Sequence, residues 1–262
     1  MAPSRGHYPH RIRLRGPWEC EPLFRTVVGA GGRVERTEGP LPPPCRMTIP
    51  CRWQEGSLAD FAGLVRFRRH FGYPGRIDSY ERVWLTFAGV AGVAEGWLNG
   101  RFLGQHEGAS EPFEFEVTGL LGPRNELAVE VEARAGDGGL YGEVALEVRR
   151  TAFLRDVRLW ATGQGETAQL HVAGEVVGTS ERPLELYVIL DRSTVAYTTV
   201  EPTATGRPFQ LAAAEINVGR QAGTDERTSA HLVRIDLVDG AVVWYRLERS
   251  FDWCNPLAAR GK

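Results

Sequence analysis

The 262-residue sequence is nearly devoid of lysine: Lys262 is the only one, so 31 − 1 = 30 of its Lys and Arg residues are arginines. Set against 33 acidic residues, the net charge is -2, which leaves no basic surplus to attract nucleic acid or an anionic membrane surface. No apolar run approaches the roughly 18 residues of a membrane-spanning helix. The first twenty residues hold arginines and prolines but lack the apolar stretch of roughly 7–15 residues that marks a secretory signal. These absences predict a cytoplasmic chain with neither a nucleic-acid nor a membrane partner. Arginine in place of lysine, beside 31 glycines and 16 prolines, is read as genome composition rather than as a binding surface.

Cysteine is scarce as well. Cys20, Cys45, Cys51 and Cys254 are too few and too unevenly spaced for a disulfide framework. Cys45 and Cys51, flanked by Pro44 and Pro50, match no zinc spacing; reduced, partly buried thiols are expected there, with a Cys45–Cys51 disulfide as the alternative. The six histidines, His7, His10, His70, His106, His171 and His231, are scattered, and no Gly-x-Ser-x-Gly elbow accompanies them. Gly29-Ala30-Gly31-Gly32 lacks the Lys-Ser/Thr of a phosphate loop. Neither a cofactor nor a metal is expected.

Also missing is any sustained helical stripe; Leu58 to Ala62 has room for one short turn. What fills the chain instead is two-residue alternation. Val65, Phe67 and Phe71 oppose Arg66, Arg68 and His70, and Val83, Leu85 and Phe87 oppose Arg82, Trp84 and Thr86. Phe113, Phe115 and Val117 oppose Glu114 and Glu116; Leu127, Val129 and Val131 oppose Glu126, Glu130 and Glu132. Such segments are half-buried strands with their polar side outward. Asn99-Gly100 and Asp239-Gly240, each between apolar strand segments, are two-residue hairpin signals, because a type I′ turn needs positive φ at both central residues. The predicted fold class is all-β.

A composition shift near residue 150 divides the chain into 1–150 and 151–262. Downstream of the Gly-rich loop Gly136-Asp137-Gly138-Gly139 and the strand Val144 to Val148, strands restart at Val157. Segments at Leu170-Val172, Leu184 to Leu190, Val195-Tyr197, Phe209-Leu211, Ile216-Val218 and the Asp239-Gly240 hairpin then give about seven short strands in about 100 residues, a spacing that fits an immunoglobulin-like sandwich. Residues 1–55 are less regular, and Pro40 to Pro44 reads as an extended surface connector.

Between Arg82 and Glu132 the residues carry more than strand periodicity. The runs Arg82-Val83-Trp84-Leu85-Thr86-Phe87, Trp97-Leu98-Asn99-Gly100-Arg101-Phe102-Leu103-Gly104, His106-Glu107-Gly108, Pro112-Phe113-Glu114-Phe115-Glu116-Val117-Thr118 and Asn125-Glu126-Leu127-Ala128-Val129 occur in a set order. In that order they resemble the N-terminal sugar-binding domain of glycoside hydrolase family 2, whose members include β-galactosidases, β-glucuronidases and β-mannosidases. Gly16-Pro17-Trp18, Ile49-Pro50 with Trp53, Gly139-Leu140-Tyr141 and Arg155-Asp156-Val157 extend the resemblance. It implies a galactose-binding-like jelly-roll sandwich over 1–150 followed by an immunoglobulin-like β-sandwich over 151–262. It also implies that Ser250-Phe251-Asp252-Trp253, where the last strand is expected to end, is where relatives enter the catalytic barrel with its two glutamates.

On that resemblance the sugar-contact loops are 106–113 and 137–144, and His106, Glu107, Asp137 and Tyr141 are the carbohydrate-binding candidates. Both loops depart from the family pattern. Ala109 stands for a glycine and Ser110 for an aromatic, which removes a stacking surface, and Gly142 stands where relatives carry Arg. Asp137 in a glycine run also has a plain reading as turn chemistry, and Trp97 beside the hairpin reads as packing. Two carboxylate signals are weighed as catalytic and set aside. Asn125-Glu126 mimics the family's acid/base dipeptide but lies at a strand start, and Glu114 with Glu116 shares a face that alternation assigns to solvent. No catalytic residue is assigned. The expected function is a non-catalytic carbohydrate-binding or accessory protein, its partner a carbohydrate or a separate glycosidase chain. A structural or protein-interaction module that self-associates is the alternative. A glycosidase hydrolysing O-glycosyl bonds is the third reading.

Overall fold

The computed structural model describes residues 8–29, 33–56, 58–108, 111–133, 138–164, 167–213, 216–217 and 231–252. Among them there is no α-helix, only two 3₁₀ turns at Trp53–Glu55 and Thr118–Leu120, and no helix is long and apolar enough to cross a membrane. The chain is all-β. It divides into two compact units, one of Arg11–Val148 and one combining Met1–His10 with Arg149–Lys262.

The first unit is built from β1 (His10–Arg13), β2 (Trp18–Val28), β3 (Val34–Thr37), β4 (Cys45–Met47), β5 (Gly63–Gly72), β6 (Glu81–Phe87), β7 (Val93–Leu98), β8 (Arg101–Glu107), β9 (Phe113–Glu116), β10 (Arg124–Ala133) and β11 (Val144–Arg150). One sheet runs β1-β11-β6-β9 and the other β3-β2-β5-β10-β7-β8, with β4 on β2. The alternation seen in the sequence sets the inward side: Val65, Phe67, Val83, Leu85, Phe87, Leu127, Val129 and Val131 are all buried. Outward residues pair across strands. Antiparallel register sets Arg66 opposite Glu130 and His70 opposite Glu126, and both pairs bond, at 2.8 Å and 3.0 Å. Residues 38–44 form no regular element, in keeping with an extended connector.

The hairpin between β7 and β8 follows its sequence signal. Leu98 pairs with Arg101, while Asn99 and Gly100 have φ of 53° and 77°, the two positive values of a type I′ turn. Asn99 does more than turn the chain. Its amide donates to Leu120 O and Asn125 Oδ1, and its Oδ1 accepts from Glu126 N, which ties the hairpin to the start of β10.

The second unit comprises β12 (Ala152–Gln164), β13 (Thr167–Gly178), β14 (Leu184–Leu190), β15 (Ser193–Val200), β16 (Arg207–Ala212), β17 (Ile216–Asn217), β18 (His231–Asp239) and β19 (Val242–Phe251). Its sheets are β12-β13-β16, with β17 on β13, and β15-β14-β18-β19. Two expectations need correction here. The strand expected to restart at Val157 begins at Ala152 and passes through a register shift between Arg155 and Arg158, where Asp156 has φ 51°. An extra residue in a bulge breaks strict alternation, so the sequence pattern starts only beyond it. The second hairpin does not turn on Asp239-Gly240. Asp239 still pairs with Val242, and the two-residue loop is Gly240-Ala241, with positive φ at Gly240 only. A register shift between Leu237 and Val238 brings Asp239 opposite Val242 and leaves Gly240-Ala241 as the loop.

Candidate functional site

Three segments of the Arg11–Val148 unit converge on the connection between β6 and β7. Ala88 N donates to Glu143 O, Gly142 N to Gly89 O and Ala91 N to Gly139 O, each at 2.9 Å. The β7–β8 register continues the contact by setting Val93 opposite Glu107 and Ala94 opposite His106. Behind the 138–143 loop, Cys51 N donates to Leu140 O and Trp53 N to Gly138 O. Thus His106, Glu107 and Tyr141, although Tyr141 lies 141 − 106 = 35 positions beyond His106, flank one backbone connection. Asp137, Ala109 and Ser110 lie outside the described residues.

Each of the three has a definite environment. The His106 ring stacks on Phe113 at 4.1 Å between centroids, and Phe113 stacks on Phe87 at 4.6 Å. His106 Nε2 is buried with no hydrogen-bond partner among the described residues. The imidazole therefore serves here as an aromatic plate that joins the β8 edge of one sheet to β9 of the other. Tyr141 carries the Arg52 guanidinium over its ring at 4.4 Å. Its phenol end lies against Gly89, where an added Cβ would come within 2.6 Å of the ring. Glu107, the last residue of β8, is exposed. The site thus pairs two engaged aromatic rings with one solvated carboxylate and one half-buried guanidinium.

Arg52 and Gly89 were not among the residues singled out from sequence. The signals nearest them were the family-like "P…W" segment, Ile49-Pro50 to Trp53, beside Arg52, and Tyr141 and Gly142 beside Gly89; Trp53 is fully buried against Gly138 and Gly139. Gly142 gains a physical reason. A Cβ there would sit 2.2 Å from Gly89 N, so the two strands of backbone approach too closely for any side chain, arginine included, on this path.

The two carboxylate signals have structural environments. Asn125 is buried, accepts from Gly122 N and donates to Gly122 O, while Glu126 bonds His70. Glu114 and Glu116 lie opposite Thr86 and Trp84 on β6; Glu116 accepts from the Thr118 hydroxyl at 3.1 Å and approaches Arg82 at 3.8 Å. Elsewhere in this unit Glu130 is held by Arg66, Glu21 by Arg68, and Glu143 by Arg11 and Arg13. Trp97 packs on Phe102 at 5.4 Å. Among the described residues no group of three or more His, Cys, Asp or Glu side chains is arranged to hold a metal. Two grooves, about 450 Å³ beside Arg158 and Phe209 and about 550 Å³ beside Cys20 and Cys45, are lined by residues other than His106, Glu107 and Tyr141.

No family model matches the chain. Over 115 residues it is 30% identical to a β-galactosidase of Thermoanaerobacter pseudethanolicus, a match covering 37% of this chain and 15% of that enzyme. Its fold overlays a β-glucuronidase of Bifidobacterium dentium, solved with coumarin-3-O-glucuronide, with a TM-score of 0.65 and 22% identity, covering 93% of this chain and 48% of that one. A β-glucuronidase from glycoside hydrolase family 2 gives a TM-score of 0.69 at 16% identity, covering 94% and 30%. The chain therefore spans less than half the length of each. It is similar, in sequence over about a third of its length and in fold over nearly all of it, to the N-terminal sandwich region of family 2 β-galactosidases and β-glucuronidases.

Proposed function

We propose that this chain is a non-catalytic carbohydrate-binding or accessory protein of carbohydrate metabolism, its Arg11–Val148 unit a galactose-binding-like jelly roll and its second unit an immunoglobulin-like sandwich. The observation that carries this reading is the convergence of His106, Glu107 and Tyr141 on one connection of a family 2-like sandwich. The non-catalytic part is supported by the cross-strand and turn pairing of Glu116, Glu130 and Glu143 with neighbouring arginines and a hydroxyl, which gives these carboxylates a structural task; a retaining glycosidase instead sets two carboxyl groups about 5–5.5 Å apart across a sugar site. Glu107 and Arg52 supply the hydrogen bonds to sugar hydroxyls. The test is thermal denaturation with added methyl β-galactoside, β-glucuronide and β-mannoside. A ligand at 100 times its Kd stabilises by about 2.7 kcal/mol, and Glu107→Ala is expected to shrink the shift for the sugar that binds. No shift with any of the three overturns the binding reading. Turnover of a chromogenic glycoside that disappears in Glu114→Gln overturns the non-catalytic one.

The interaction-module reading is favoured by a different observation. Each aromatic ring of the loop end already has a protein group stacked on it, Phe113 on His106 and Arg52 on Tyr141, whereas Phe102 and Val28 are 53% and 58% exposed. Light scattering separates the two: a strictly monomeric protein at high concentration leaves no self-association to explain.

A further inference from the structure

The cysteines group differently in space than in sequence. Cys20 on β2 is the direct register partner of Cys45 on β4, and both are free thiols, as is Cys51. Directly opposed residues of an antiparallel pair have Cα atoms about 4.5 or 5.5 Å apart, within the roughly 4.4–6.8 Å window that a disulfide spans. Cys20 is 1% exposed, and Cys45 is half-exposed on a three-residue edge strand that follows the irregular 38–44 connector. Both residues line a groove of about 550 Å³ together with Pro44, Arg46 and Arg68, so a small oxidant has access from solvent to the half-exposed Cys45. Burial, with the neighbouring Cys45 and Cys51 acting in the same direction, holds the Cys20 thiol far above the ordinary thiol range. Cys45 is thus the thiol that meets an oxidant first.

We propose that Cys20 and Cys45 form a reversible cross-strand disulfide under oxidation by a hydroperoxide, pinning the edge strand β4 to β2. Hydrogen peroxide oxidises the Cys45 thiol to the sulfenic acid and is reduced to one water. The Cys20 sulfur then forms the S–S bond as its proton leaves with the Cys45 hydroxyl as a second water. A dithiol returns both residues to thiols by exchange. The bond closes a loop over residues 20–45 and limits the fluctuations of the unfolded chain.

The chain's own arginines make the test clean. Trypsin cutting after Arg15, Arg25, Arg36, Arg46 and Arg52 puts Cys20, Cys45 and Cys51 on three separate peptides. Full-length protein treated with hydrogen peroxide, alkylated without reduction and digested is expected to yield the Cys20 peptide linked to the Cys45 peptide. Oxidation is also expected to raise the melting temperature by several degrees, reversed by dithiothreitol. Cys45→Ser, at the half-exposed position, should abolish both the linked peptide and the shift, and Cys51→Ser should leave them intact. A Cys45–Cys51 linkage, a linkage between molecules, or three freely alkylated thiols after peroxide overturns the assignment.

Discussion

Asn125 shows how a side chain can wear a functional motif and have a structural task. Its buried amide closes a small ring with Gly122 and accepts from Asn99. Asn125→Ala leaves the Gly122 amide and carbonyl unsatisfied and is expected to cost about 1–3 kcal/mol in urea denaturation. Its neighbour Glu126 meets His70 in solvent, so Glu126→Gln is expected to change stability by less than about 1 kcal/mol. A reversal of that order would mean the dipeptide is not a strand-start device. His106 makes the converse case, a polar residue in an aromatic place. With Nε2 buried and without a partner among the described residues, His106→Phe is expected to keep the stack on Phe113 and to be neutral or stabilising by up to about 1 kcal/mol in the same measurement. The alternation of Phe113 with Glu114 made the stack's β9 side legible in sequence. Nothing in the sequence showed that His106, from the other sheet, completes it.

Strands that read well from sequence are those with one wet and one dry face, such as β5, β6 and β10. β11 reads less plainly because Val144 to Arg149 are all buried, including the charged Glu147 and Arg149. Glu147 is 2% exposed, and its carboxylate is met by Arg11 of β1, whose Nε donates at 2.7 Å. More than a hundred residues separate the two, so no local pattern announces the pair. Glu147 is buried whereas the Arg11 side chain is 47% exposed, so the loss of their bond is felt mainly at the carboxylate. Arg11→Ala is expected to destabilise by about 1.5–3 kcal/mol, and Arg11→Ala with Glu147→Gln to recover part of that loss in a double-mutant cycle. An additive double variant would show that β1 contributes through its backbone alone. Irregularities within strands have the same character: the β12 register shift and the Gly240-Ala241 turn are each decided by pairing with a neighbouring strand, and the sequence signal misplaces both.

Ion pairs recur throughout the protein, and they set how it meets acid. Asp191, in the turn between β14 and β15, bonds His231 at 2.9 Å and accepts from Leu232 N. Those bonds, the one to His231 foremost, hold its carboxyl below the ordinary aspartate range. A depressed folded-state pKa means that this stabilisation is present above the unfolded-state value and drains away as pH falls through the folded one. Asp191→Asn, which keeps a residue tolerant of positive φ, is expected to be less stable than the parent at neutral pH and to match it in strong acid. A gap that persisted unchanged at low pH would assign the effect to the turn backbone instead.

Local chemistry alone determined the all-β class, the inward face of most strands and the Asn99-Gly100 turn, because alternation and positive φ act over neighbouring residues. The order of short signatures determined the likeness to family 2 glycosidases. Only the tertiary structure brought His106, Glu107 and Tyr141 to one connection, paired Arg11 with Glu147 and set Cys45 opposite Cys20 in register. The reason is common to all three. Antiparallel sheets place residues together by register between strands distant in the chain, and register is a property of the closed sheet, carried by no single stretch of sequence.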